Sequence, residues 1–432
     1  MSQYGLLRRE QLADGVYLNL IAHDKTKTNH LSICFLSDLC PETAAAGSLL
    51  ARVLIRGCTK YPTLRDVSRQ LDACYGADLD IGVEKYGETH VMSFSCNWLK
   101  DRFAYDGMKT TQTMLEMAKQ ILFYPLLETK QDKLAFKEEY VKSEKENLYD
   151  AIAAEINNKA SYAKKKMYEH MCKNESFSVS VMGEKETIAP ITPDELYAYY
   201  VMLLKRAPVE IFFAGSGEED LAKTLQGFFE TISRDVYTLS EPKKDIVREE
   251  VTAEETMDIN QAHLVLGYRM GMNMKDKNYP AFMVFNAMFG GSVSSRLFSV
   301  IRETMHLCYT VNSAPESIKG VMMVYAGIAE ENREKAYNGI QEQLKVITMG
   351  EFTDKELEDA RAVLRNQLQS ITDSPATLVS WYLARLICGL VDTSPEKTIE
   401  ALEKVTREAV IAAAAHVTEA CVYFLSPERS PA

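Results

Sequence analysis

The feature that most constrains this chain is a repeat of element order. Apolar residues that alternate with polar ones, as on a half-buried strand, give way to the 3.6-residue stripes of amphipathic helices, and the succession starts twice. Val16 to Ala22 and Leu31 to Ser37 read as two strands separated by the polar segment HDKTKTN. Leu49, Leu50, Val53 and Leu54 mark one face of a helix that stops at Gly57. Thr63 with Asp66 forms a capping box for the next helix, which carries Leu64, Val67, Leu71 and Cys74. Ala77, Leu79, Ile81 and Val83 alternate with Asp78, Asp80 and Gly82, and Tyr86-Gly87-Glu88 turns this strand into a second one that ends near Cys96. Long Glu- and Lys-rich helical patterns fill 101–172. Thr192-Pro193-Asp194-Glu195 caps a further helix, and a strand over Val209 to Ala214 closes the half.

After a charged, core-poor stretch over 240–258 the order begins again. His263 to Tyr268 is a strand, Pro280 to Phe289 a helix and Gly290-Gly291 a turn. Ser292 opens a short helix with Leu297, Phe298 and Ile301 on its face. Cys308 to Ser313 and Gly320 to Ala326 pair as strands. Three or four helices follow, one capped by Thr353 with Glu356, and Cys421 to Leu425 closes the chain. The expected fold class is therefore α+β, with two similar α/β-sandwich domains related by internal duplication. The boundaries are 1–235, a linker at 236–258, and 259–432. Two unrelated domains of similar length are the alternative.

Composition removes several classes of function. A net charge of −12, with only short basic runs such as Lys164 to Lys166, argues against nucleic acid as a partner. The nine cysteines are odd in number and contain no C-x-x-C pair, so neither a disulfide nor a zinc-finger framework is expected. No 18-residue apolar stretch and no apolar leader occur, so the expectation is a cytoplasmic protein without a membrane segment. The seven histidines lie at least seven residues apart, so no two share a helix face as a metal pair. The phosphate-loop, dinucleotide and nucleophile-elbow motifs are absent. Cys308 with His306 two residues away sets up no thiol–base geometry.

The most specific string is Asn286 to Tyr309, NAMFGGSVSSRLFSVIRETMHLCY. It resembles the C-terminal domain of the insulinase/pitrilysin-like (inverzincin) metallopeptidases, where a helix ending in a glycine turn precedes S-S-R-L-F, R-E and a strand led by Tyr. The first half agrees in LIRGCTKYPT (54–63), in the helix to Leu71 and in Tyr75-Gly76-Ala77. The likeness covers nearly the whole chain and implies a processing-peptidase-like bowl or clam shape.

That family's zinc motif, H-x-x-E-H, lies on the helix before the arginine–glycine stop. Counting back from Gly57, the matching positions here are Ser48, Ala51 and Arg52. Both histidine ligands and the base are missing, and Arg52 puts a cation where zinc would sit. The family's third ligand is a downstream Glu. Glu144 or Glu146 is the candidate, although Glu138, Glu139, Glu144 and Glu146 read equally as a solvated helix face with lysine partners. The resemblance thus implies no metal and no cofactor in this chain, with zinc in a partner subunit.

Active members use an Arg, and a Tyr seven residues later, to hold the substrate backbone and support the oxyanion. The matching residues are Arg302 and Tyr309. As bare residues they read differently, Arg302 at its own helix C-terminus and Tyr309 as strand core. The family usually has glycine where His306 stands. The strand over Leu79 to Val83 matches the family's substrate-docking edge. The implied function is the non-catalytic subunit of a heterodimeric zinc peptidase acting on peptides, inactive without an H-x-x-E-H partner. A homodimer, or an inactive scaffold or binding protein, is the alternative.

Overall fold

The computed structural model describes residues 7–105, 107–130, 132–216, 220–241 and 250–428. In the first half the strands are β1 (Leu7–Ala13), β2 (Val16–Ala22), β3 (Thr28–Asp38), β4 (Asp78–Tyr86), β5 (Thr89–Leu99), the hairpin β6 (Leu127–Lys130) with β7 (Lys133–Phe136), and β8 (Val209–Gly215). The helices are α1 (Pro41–Leu54), α2 (Leu64–Ala73), α3 (Thr110–Phe123), α4 (Glu138–Ala154), α5 (Lys159–Met171), α6 (Lys185–Ile188), α7 (Pro193–Arg206) and α8 (Leu221–Phe229). The second half has β9 (Val251–Met257), β10 (Ala262–Arg269), β11 (Cys308–Glu316), β12 (Val321–Ile328) and β13 (Thr418–Pro427). Its helices are α9 (Tyr279–Phe289), a π-helical segment Leu297–Thr304, α10 (Arg333–Thr348), α11 (Asp354–Ile371), α12 (Pro375–Ile387), α13 (Pro395–Glu403) and α14 (Arg407–Ala415).

The duplication is visible in strand order. The first sheet runs β1-β2-β8-β3-β5-β4 and the second β11-β12-β10-β13-β9. Reversing the second and dropping β1 superposes the two orders strand for strand. The pairing senses agree as well, since β2/β8 and β9/β13 are the parallel pairs and the other neighbours are antiparallel. Two independent α+β domains would have no reason to share that pattern.

Several elements escaped the sequence patterns, among them four strands. β1, LRREQLA, is charged and lies at a sheet edge, where no alternating apolar face is required. β9 falls inside the stretch expected as a linker and pairs with β13; residues 242–249 of that stretch lie outside the described residues. The β6/β7 hairpin interrupts the helical run over 101–172.

The chain forms two compact units whose membership crosses the expected boundaries. Of the described residues, the first holds those within 1–153, 179–241 and 372–383, and the second those within 154–178, 242–371 and 384–432. The third helix after β5, α5, thus belongs to the second unit, and the third helix after β12, α12, belongs to the first up to Leu383. In the second unit α5 buries Ala163, Met167 and Met171 against Val265, Tyr325 and Tyr423. Gly267 lets the helix approach, because a Cβ there would stand 2.4 Å from Met167 Sδ and 2.6 Å from Met171 Sδ. Linear sequence shows an amphipathic stripe but not which sheet will cover it.

Candidate functional site

α1 carries the positions of the missing zinc motif. Pro41 sits at its first turn, and the Cys40 N–H donates to Thr43 Oγ1 at 3.1 Å. Past its end Gly57 has φ +146°, and a Cβ there would lie 2.6 Å from the Tyr61 carbonyl oxygen, which is why the helix stops at a glycine.

Two of the three positions have been turned to structural use. Ser48 is buried and its Oγ donates to the Val181 carbonyl at 3.0 Å. Ala51 is buried in the first core. Arg52 is half-buried and makes no hydrogen bond or ion pair among the described residues. Four residues on, Arg56 is paired: its Nη1 stands 3.0 Å from Glu144 Oε1 and its guanidinium lies over the Tyr140 ring. Asn147 Nδ2 donates to the other Glu144 oxygen at 3.1 Å. Glu144 is therefore a buried, paired carboxylate on the α4 face that carries Val141 and Leu148, while Glu138, Glu139 and Glu146 are exposed. Its place three residues after Val141 and four before Leu148 was the sequence signal for an inward carboxylate. Among the described residues no group of three or more His, Cys, Asp or Glu is placed to hold a metal ion.

Behind α1, His90 on β5 shares the Val181 carbonyl with Ser48, its Nε2 lying 3.3 Å away. Its ring packs on Gly47, where a Cβ would come within 2.5 Å. Burial pushes its pKa down to about 4. In the unfolded chain an ordinary histidine protonates from about pH 6.5. The stability that His90 carries is therefore complete above that pH and is lost as pH falls towards 4. Between pH 8 and pH 5 the unfolding free energy should drop by about 2 kcal/mol from this residue. Urea midpoints at the two pH values check it, with His90→Leu expected to flatten the dependence; an unchanged slope in that variant would refute the assignment.

In the second unit, Arg302 belongs to the π-helical segment and its guanidinium lies 4.5 Å from the Phe298 ring centroid and 5.3 Å from that of Tyr309. Its Nε faces the exposed Glu303 carboxylate at 3.3 Å. Tyr309 is the extra residue of a β-bulge, since Cys308 opposes Ile328 and Thr310 opposes Gly327. The bulge re-aims the side chain, which is 77% exposed; Tyr309 is not strand core. The turn before it keeps a glycine-like conformation, with His306 at φ +53°. His306→Gly should therefore raise stability by about 0.5–1 kcal/mol, read as a shift in urea midpoint; a loss would mean that the imidazole holds the turn. Cys308 is half-buried and desolvation pushes its thiol up to about 11, so it is a poor nucleophile.

Arg302 and Phe298 line an open groove of about 450 Å³ together with Val293, Asn312, Ser313 and Val363. On the first unit β4, which holds Leu79 to Val83, is an outer strand of its sheet. No helix among the described residues is long and apolar enough to cross a membrane.

A twice-used α+β unit whose peptidase-motif helix carries serine, alanine and arginine defines a metallopeptidase-like chain of the inactive type. Residues 190–364 match the family described as Peptidase M16 inactive domain. The "Probable inactive metalloprotease YmfF" of Bacillus subtilis (strain 168) is 30% identical over 414 residues, covering 95% of this chain and 96% of that protein. The chain belongs to the M16, insulinase-like peptidase family. A conserved protein of Enterococcus faecalis V583 has a solved structure with a TM-score of 0.88 at 26% identity, covering 99% of this chain and 100% of that one. The "Uncharacterized zinc protease YmxG" of B. subtilis is 26% identical over 257 residues, 57% of this chain and 60% of that protein.

Proposed function

We propose that this chain is the non-catalytic subunit of a two-chain zinc peptidase of the cytoplasm, acting on peptides. A homologous partner bearing H-x-x-E-H supplies the metal and its water, and this chain supplies Arg302 and Tyr309. The observation that carries the reading is asymmetric: the zinc-motif positions are filled by Ser48, Ala51 and Arg52, while a half-buried Arg302 lines an open groove with the exposed Tyr309 ring beside it. Structural replacement at one site with accessibility at the other is what a divided active site requires. A guanidinium that lies against two rings offers donors to a peptide carbonyl, and a phenol offers one to an oxyanion. Relatives named zinc proteases make a family member the natural metal-bearing partner. Nine unpaired cysteines suit a reducing compartment.

The test mixes the purified chain with an H-x-x-E-H homologue and follows cleavage of an unstructured peptide, with zinc measured on each chain. The expected result is zinc in the partner alone and cleavage well above that of the partner by itself. Stoichiometric zinc in this chain, or no gain on mixing, would overturn the reading; the latter outcome leaves an inactive scaffold or binding protein.

A further inference from the structure

One face of the first sheet carries small polar side chains, and four of them form a directed chain of hydrogen bonds. β3, β5 and β4 place His30, Asn97 and Asp78 in one cross-strand row and Ser32, Ser95 and Asp80 in the next. The Asp78 carboxylate only accepts, so Asn97 Nδ2, 2.8 Å away, is the donor to its Oδ1. That turns Asn97 Oδ1 towards His30 Nδ1, which lies at 2.8 Å and therefore carries the imidazole proton. The lone pair of His30 Nε2 is left facing Ser32 Oγ at 3.0 Å. An exposed carboxylate thus fixes the amide, the amide fixes the tautomer, and the imidazole accepts from the hydroxyl. Burial holds His30 below the ordinary histidine range, so the ring stays neutral at pH 7.

We infer that Ser32 is a nucleophile towards small carboxylic esters, with His30 as its base and Asn97 and Asp78 as positioning residues. A hydroxyl, a base and an orienting group in hydrogen-bond contact are the arrangement that activates a serine. Ser32 Oγ attacks the ester carbonyl carbon while its proton passes to His30 Nε2. The tetrahedral adduct collapses, the bond to the alkoxy oxygen breaks, and the alcohol leaves with that proton. Water then attacks the acyl group on Ser32, His30 takes the water's proton and returns it to Ser32, and the acid departs. Ser95 stands directly opposite Ser32 and has no hydrogen bond among the described residues. Cross-strand partners lie about 5 Å apart, so its hydroxyl is within reach of the oxyanion. Ser32 is 5% exposed, but Ser93, Ser95 and Gly82 on the same face are half-buried. A Cβ on Gly82 would meet only the Asp80 carboxylate within 4 Å, so the face is open over β4. Approach is from that side, and the depth of Ser32 restricts the acyl group to a short one.

The inference is independent of the zinc partnership and is tested on the full chain alone. The probe is p-nitrophenyl acetate, with phenolate release followed by absorbance and acetylated positions mapped by peptide mass. The native chain should release phenolate at least about tenfold faster than Ser32→Ala, a margin below the usual contribution of a positioned base. Acetyl trapped on the native chain should map to Ser32. The positioning residues are read by nitrogen NMR of the histidine-labelled chain, in which His30 should carry its proton on Nδ1. Asp78 is exposed on an outer strand, so Asp78→Asn should keep the fold. A carboxamide there donates as well as accepts, so Asn97 is free to turn over, the second His30 tautomer should appear, and release should slow. Equal release from the native chain and Ser32→Ala overturns the inference. A His30 proton on Nε2 overturns it too and makes the hydrogen-bond chain structural. Either result leaves the divided active site standing, since that is read only with the H-x-x-E-H partner.

Discussion

Glu175→Ala is expected to lower the unfolding free energy by about 3–5 kcal/mol in urea titrations. Glu175 follows α5, and its carboxylate takes Arg269 Nη2 at 2.7 Å and Lys319 Nζ at 2.6 Å. The Lys319 side chain is 1% exposed, so this is an interior cluster. Burial by itself would raise the Glu175 carboxyl, but hydrogen bonds from Arg269 and Lys319 outweigh it and hold the pKa below the ordinary range. Removing the anion takes a buried carboxylate away from Arg269 and Lys319 at low dielectric, and one polar contact between the end of α5 and the second sheet goes with it. The sign is checked by a cycle: Glu175→Ala combined with Lys319→Met should cost less than the two single losses together. A loss below about 1 kcal/mol would place the cluster among ordinary surface pairs. The carboxylate also reinforces the acid sensitivity assigned to His90. A depressed carboxyl contributes stability above its unfolded pKa and loses it as pH falls, so both groups weaken the fold on acidification.

Arg302→Ala is expected to lower kcat/KM of the mixed chains by about 10²-fold or more while leaving the stability of this chain within about 0.5 kcal/mol. The Arg302 side chain is one-third exposed and its ion pair with Glu303 is a surface one, so the variant should fold. Arg302→Lys should not restore the rate, since a compact ammonium lacks the planar fork and its stacking on Phe298 and Tyr309. Tyr309→Phe keeps the ring that flanks Arg302 and removes only the phenol donor, so a smaller loss of about tenfold or more is expected. If neither change alters the rate of an active mixture, the pair plays no part in catalysis and the chain acts as scaffold.

Much of the architecture was legible where one face is buried and local chemistry is strict. The capping boxes at Thr63/Asp66, Thr192/Glu195 and Thr353/Glu356 all form their hydrogen bonds. The strands over 78–99 pair in the order their alternation and Gly87 turn imply. β2 and β3, though consecutive in sequence, are not partners: β8, nearly 200 residues on, lies between them. Period-2 alternation identifies a strand but says nothing of its neighbour, because long-range pairing is decided by the sum of both faces.

The site divides in the same way. By itself the sequence determined that the paired histidines and the glutamate base are missing, since ligand identity is written in letters, and that the chain has two repeating halves, since hydrophobic period is too. Only the tertiary structure decided that Arg56 meets Glu144, that α5 completes the second unit, and that a bulge turns Tyr309 outward onto Arg302. Each depends on contacts between segments far apart in sequence, where packing and desolvation choose among arrangements that local propensity leaves equal.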